Sequence, residues 1–116
     1  MAGSADNWKT QIRKGYLELC ILMLIRRHKK LYGFDLLEKL AMVGLDVKEG
    51  TLYPLLNRMS VDEFLSATWE TENIKGHPRK FYALTKEGAK FLDEMRDEFD
   101  GMIGIFHQLR AKGALS

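Results

Sequence analysis

Apolar side chains recur at helical spacing through the first quarter of the chain. Trp8, Ile12, Tyr16, Leu19 and Met23 fall three or four residues apart with only Gly15 interrupting, the period of one face of an α-helix. They predict a first helix over 8–28, preceded by a small polar stretch, 1–7, expected to be a disordered tail. The continuous apolar run 19–25 fits a buried strand on periodicity alone, but its continuity with the preceding pattern favours a helix that is apolar nearly all round, hence central. Leu36, Leu37, Leu40 and Val43 mark a second helix over 33–43, with Gly44 as its C-cap. In a third helix, 48–62, side chains rotate by about 100° per residue, which gathers Leu52, Leu55, Leu56 and Met59 on one narrow arc. The opposite arc carries Gly50, Tyr53, Pro54, Asn57 and Arg58.

The period then changes. Leu65, Ala67 and Trp69 alternate with smaller polar residues and predict a strand over 64–71; a polar loop containing Gly76 follows, and 80–84 reads as the returning strand. The tip of this hairpin is basic, with Lys75, His77, Arg79 and Lys80. Thr85 is placed to N-cap a final helix over 86–110, with Glu87 complementing its dipole. There Phe91, Leu92, Met95, Phe99, Met102, Ile103, Phe106 and Leu109 occupy an arc of about 120°, with the acidic residues outside it. Such a helix spans roughly 37 Å, longer than a compact domain of this size covers, so its distal part is expected to meet a second copy of the chain, with Trp8 and Ile12 of the first helix as neighbours.

Composition narrows the classes. The chain has 116 residues, the size of one domain, divided here into a tail (1–7), a mostly α unit with a small β-hairpin (8–84) and a dimerisation helix (85–112). The lone cysteine, Cys20, lies in the apolar run, which excludes an intramolecular disulfide and suits a reducing cytoplasm. The run is far shorter than the about 20 residues of a membrane span. A net charge of +2 is too small to imply nucleic acid by itself. Its distribution is more telling, because Lys9, Arg13, Lys14, Arg26, Arg27, Lys29 and Lys30 load the first quarter while Asp93, Glu94, Asp97, Glu98 and Asp100 load the last helix.

Candidate catalytic chemistry is missing. His28, His77 and His107 have no helically spaced partner ligand, so neither a metal nor a cofactor is expected. The pairs Asp93/Asp97 and Glu94/Glu98 lie on a solvent face, and no phosphate-binding glycine loop or nucleophile beside a histidine and an acid occurs. The chain is not expected to be an enzyme.

The order helix, helix, helix, hairpin is that of a winged helix-turn-helix over 32–82, and particular segments carry a closer likeness. Lys14-Gly15-Tyr16-Leu17-Glu18-Leu19, Tyr32-Gly33-Phe34, Gly50-Thr51-Leu52-Tyr53-Pro54-Leu55-Leu56-Asn57-Arg58-Met59 and Gly76-His77-Pro78-Arg79-Lys80-Phe81-Tyr82-Ala83-Leu84-Thr85 resemble the PadR family of transcriptional regulators, over residues 9–90 and in the family's order. The resemblance implies a homodimeric cytoplasmic repressor that binds double-stranded DNA, often released by a small molecule, and Tyr32 resembles the family's backbone-contacting tyrosine. Helix 3 would enter the major groove with its N-terminal half, Gly50 allowing close approach and Thr51 and Tyr53 reaching phosphate. Asn57 can pair with adenine and Arg58 with guanine, while Lys75, His77, Arg79 and Lys80 would straddle the adjacent minor groove or its phosphates. Trp8, Met95 and Phe99 are candidates for an aromatic effector pocket between subunits.

The chain departs from the family pattern at a few positions. Lys48 replaces a serine-type N-cap, leaving Asp46 as the available substitute. Pro54 requires helix 3 to start late or kink. Glu63 stands where a glycine commonly ends that helix, so it either takes a left-handed conformation or reshapes the turn. The competing readings are a winged-helix module that binds another protein, and a small-molecule sensor with little DNA binding.

Overall fold

A computed structural model describes residues 2–70 and 79–111. Its elements run α1 (Ala2–His28), β1 (Leu31–Tyr32), α2 (Gly33–Met42), α3 (Glu49–Val61), β2 (Leu65–Glu70), β3 (Arg79–Leu84) and α4 (Lys86–Arg110). The strands form an antiparallel sheet in the order β1-β3-β2, with Leu65 opposite Leu84, Trp69 opposite Lys80 and Glu70 opposite Arg79. Leu31 and Tyr32 pair with Tyr82 and Phe81.

The core lies where the three helices of the first half meet the sheet and the start of α4. Ile21, Leu22 and Ile25 of α1, Leu36 and Leu40 of α2, and Leu52, Leu56 and Met59 of α3 are buried together with Leu65, Tyr82 and Leu92. The run 19–25 is therefore a central helix segment, although Met23 stays exposed. In α2 the stripe closes at Leu40, leaving Val43 exposed. Gly44, at φ 93°, ends α2, its N–H donating to the Ala41 carbonyl while that of Leu45 reaches Leu40, the paired bonds of a glycine-terminated helix.

Several boundaries differ from the sequence expectation. α1 begins at Ala2 rather than at Trp8, so helix continues into the stretch 1–7 expected to be a disordered tail. Those residues are too small or polar to extend an apolar period, and the Thr10 hydroxyl donates to the Asp6 carbonyl inside the turn. α3 opens at Glu49 with Lys48 as its N-cap and no side-chain capping bond, so Asp46 does not substitute. The helix runs through Pro54 instead of starting after it. α4 has the expected limits, and the Thr85 hydroxyl accepts from the Gly88 amide at 2.9 Å.

The joint at Glu63 is a left-handed helix end made without glycine. Glu63 adopts φ 65°, its N–H donates to the Ser60 carbonyl, and that of Phe64 reaches Met59. Thr85 fastens the same joint from the other side: its hydroxyl donates to the Glu63 carbonyl at 2.6 Å and its amide to the Phe64 carbonyl. A Cβ on Gly88 would lie 1.9 Å from that Phe64 oxygen, so only glycine allows α4 to start so close to the end of α3. Phe64 also stacks on Phe91 at 4.2 Å between ring centroids.

Candidate nucleic-acid interface

The outward arc of α3 divides into a centre and two flanks. Gly50, Pro54 and Asn57 are exposed along the centre. Gly50 has no neighbour within contact distance of the position a Cβ would take, so the backbone there is open to a docking partner. On one flank, Thr51 and Arg58 face the first half of α1 across a cleft of about 630 Å³ that Arg13, Lys14 and Lys48 also line. On the other, the Tyr53 ring lies against Gly33 at the start of α2, where a Cβ would come within 2.5 Å of it. Burial, followed by the Glu49 charge, raises the Tyr53 pKa above the ordinary phenol value, so the hydroxyl stays a neutral donor.

Arg58 is already committed within the chain. It forms an ion pair with the half-buried Glu18 of α1. For Arg58 to pair with a guanine, this ion pair must open or be shared. A single carboxylate in the middle of an apolar helix run was the sequence signal for this partner.

The base of the wing is an alternation of rings and cations. Tyr32 meets Phe81 edge-on at 5.8 Å and 87°, the Lys30 ammonium lies 4.3 Å from the Phe81 centroid, and the Arg79 guanidinium lies 5.2 Å from that of Tyr32. The nearby Glu70 carboxylate, as a hydrogen-bond partner first and then, after burial, through its charge, raises the Tyr32 pKa. Arg79 is exposed and Lys80 half-buried; Lys75 and His77 lie outside the described residues. Lys30, Glu70 and Glu18 are contributors that sequence reasoning had not singled out.

The residues expected to join two chains fall into separate groups. Leu92 is fully buried in the chain's own core and Phe91 is stacked on Phe64, so neither belongs to an open dimer face, contrary to expectation. The amphipathic stripe could not distinguish a neighbour in the same chain from one in another. Trp8 (63% exposed), Ile12, Met102, Ile103, Phe106 (55%) and Leu109 remain open to solvent. Between these groups an apolar groove of about 550 Å³ separates α1 and α4, lined by Met95 and Phe99 among others but not by Trp8; Tyr16 stacks on Phe99 across it at 5.5 Å.

Among the described residues no group of histidines, cysteines and carboxylates is arranged to hold a metal ion, and no helix is long and apolar enough to cross a membrane.

Comparison with known proteins agrees with this geometry. Residues 21–94 match the Transcriptional regulator PadR-like family. The X-ray structure of a PadR-like transcription factor from Bacteroides fragilis is 40% identical, with a TM-score of 0.76 over 89% of this chain and 98% of that one. A PadR-like transcriptional regulator from Bacillus cereus is 34% identical, with a TM-score of 0.74 over 88% of this chain and 99% of that one. A PadR family regulator from Eggerthella lenta aligns at 28% identity and a TM-score of 0.78, covering 93% and 94% of the two chains. No curated protein sequence matches the chain. The exposed recognition helix, the cationic hairpin beside it and these likenesses agree: the chain belongs to the PadR-like family of transcriptional regulators, and is a DNA-binding regulator of transcription rather than an enzyme.

Proposed function

We propose that the chain is a homodimeric cytoplasmic repressor that binds a pseudo-palindromic operator and is released by a small aromatic effector. The observation that carries the dimer is the exposed apolar face of Trp8, Ile12, Met102, Ile103, Phe106 and Leu109, a contiguous kind of surface that soluble monomers rarely leave uncovered. A self-complementary two-fold contact is the commonest way to bury it. It would set two copies of α3 into successive major grooves, about one helical turn of DNA apart, with Gly50 allowing close approach, Asn57 and Arg58 toward the bases, and Tyr32, Thr51, Tyr53, Arg79 and Lys80 along the backbone. The wing residues Lys75 and His77 belong to the same proposal. A dimer spread over both half-sites blocks access to that DNA, which is the basis for repression.

Selection of bound duplexes from a random pool with the full chain tests this reading. The expected product is a two-fold motif with half-sites about 10 base pairs apart, together with a particle of dimeric mass. A single half-site bound by a monomer would overturn it.

The effector is supported by the groove between α1 and α4, whose volume falls in the range of small-molecule sites. Its walls, Met95, Phe99 and Tyr16, suit a flat aromatic molecule, and Trp8, four residues before the lining residue Ile12 on α1, would report on it. Quenching of tryptophan emission by phenolic acids or aromatic cations, with a matching loss of operator binding, is expected and should vanish in Phe99→Ala. Persistence of both in that variant would place the effector elsewhere.

A further inference from the structure

Among its described residues the hairpin carries one large exposed apolar side chain that neither the core nor the dimer face uses. Trp69 of β2 is 60% exposed. Its cross-strand partner is Lys80, and the next pair inward on that face is Ala67 with Tyr82, since side chains on a strand alternate between faces. Tyr82 is buried, Lys80 half-buried and Trp69 open. One sheet face therefore continues from the core out into solvent, and α3 packs on β2 alongside it. The Lys80 ammonium lies 5.6 Å from the Trp69 centroid and 5.9 Å from that of Tyr82, so the cation is held between the two rings rather than swinging free.

We propose that Trp69 is a further DNA-contacting residue, its indole packing on the sugar-phosphate backbone beside the recognition helix while Lys80, held against it, pairs with phosphate. The chemistry selects this occupant. An exposed ring with the Lys80 ammonium held against it presents apolar area and positive charge together, and the indole adds an N–H that can only donate. Deoxyribose supplies the apolar surface, and phosphate oxygens supply both the negative charge and the acceptor. Backbone contacts of this kind fix register and affinity without reading sequence. The proposal rests on the DNA binding of the family and assigns a role there to a residue on the wing's inner face rather than at its tip.

The test uses the full chain labelled with 5-fluorotryptophan. The two tryptophans give separate fluorine resonances, assigned with Trp69→Phe, and the titrant is a duplex selected from a random pool by the unaltered chain. The Trp69 resonance is expected to shift on binding. Trp69→Ala should weaken affinity by about tenfold, the loss of one well-made contact, without changing the slope of log K against log salt, because no charge is removed. Trp69→Phe, which keeps the ring and loses the donor, should fall between. Lys80→Ala, by contrast, should lower the slope by about one. A Trp69 resonance unmoved at saturating DNA, or Trp69 variants binding within about twofold of the unaltered chain, would overturn the proposal and leave the family function standing. If Trp69→Ala does not fold, Trp69→Phe and the resonance decide. Failure of the unaltered chain to bind any duplex would remove DNA binding itself, a separate and recognisable result.

Discussion

Glu63 and Gly88 occupy one joint and carry opposite backbone demands. Glu63 holds φ 65°, a left-handed conformation that costs a residue with a Cβ roughly 1–2 kcal/mol. Its side chain is exposed and only its backbone is used, so Glu63→Gly should raise stability by about 1 kcal/mol in chemical denaturation; unchanged or lower stability would show that the carboxylate has a role of its own. Gly88 has no such freedom, because an added Cβ meets the Phe64 carbonyl at 1.9 Å and backbone cannot step aside as a flexible side chain can. Gly88→Ala should cost about 3 kcal/mol by overpacking, and a loss below about 1 kcal/mol would mean that α4 can shift to make room. Cys20 supplies a third residue-level test. Burial pushes its thiol above the ordinary value, and a weaker opposing hydrogen bond comes from Tyr16. The fold therefore favours the neutral thiol: that contribution to stability is whole below the unfolded thiol pKa and is lost as pH rises through the folded one. Labelling by an uncharged thiol reagent at mildly alkaline pH should be slower in the folded chain than in denaturant, the two rates converging as pH rises; equal rates throughout would contradict the shift.

At the scale of elements, α3 is a helix whose stability and function ask different things of one position. Gly50 lies in its first turn with open space where a Cβ would go, so Gly50→Ala should leave the fold intact or stabilise it by up to about 1 kcal/mol through helix propensity. If the backbone there approaches DNA, the same methyl should weaken operator binding by about tenfold or more, the equivalent of a lost close contact. Equal affinity in the two proteins would move the contact to another part of α3. The elements themselves were largely legible in the sequence wherever the signal was local. The limits of α4 follow from Thr85 and a clean apolar stripe, and the end of α2 from Gly44. What escaped was set at long range or by small residues. β1 is two residues, Leu31 and Tyr32, whose strand character exists only because β3 lies beside them. The turn before it places Lys29 at φ 70°, a conformation that lysine does not advertise. The start of α1 lacked large side chains to extend the period. Within the site, Asn57 and Gly50 stand outward as the helical arc indicates, whereas the Arg58–Glu18 pair and the support of Tyr53 by Gly33 required the packing of α3 against α1 and α2, which no local pattern encodes.

The whole molecule is elongated, with a radius of gyration of 17.1 Å against about 13 Å for a compact domain of this length, and its ends differ chemically. One end presents Arg79 and Lys80 beside the outward face of α3, and the other presents Phe106 and Leu109 with Trp8 and Ile12. Salt should therefore act oppositely on the two interactions the chain makes. Phosphate contacts release counterions, so affinity for DNA falls steeply as salt rises, with a slope near 0.9 per phosphate neutralised. Burial of apolar side chains releases no counterions, and dimerisation should hold or tighten slightly. Phe106→Glu separates the two. A carboxylate placed in the proposed interface loses its hydration without gaining a partner, so the variant should sediment as a monomer, while the core, which does not include Phe106, keeps its helical content. Each monomer retains one α3 and one wing, so its residual affinity for the operator should show about half the salt slope of the dimer, the count of neutralised phosphates having halved. A Phe106→Glu protein that remains dimeric would relocate the interface away from the end of α4. A monomer with the full slope would mean that one copy makes all the phosphate contacts, and the two-fold operator would no longer be needed to explain binding.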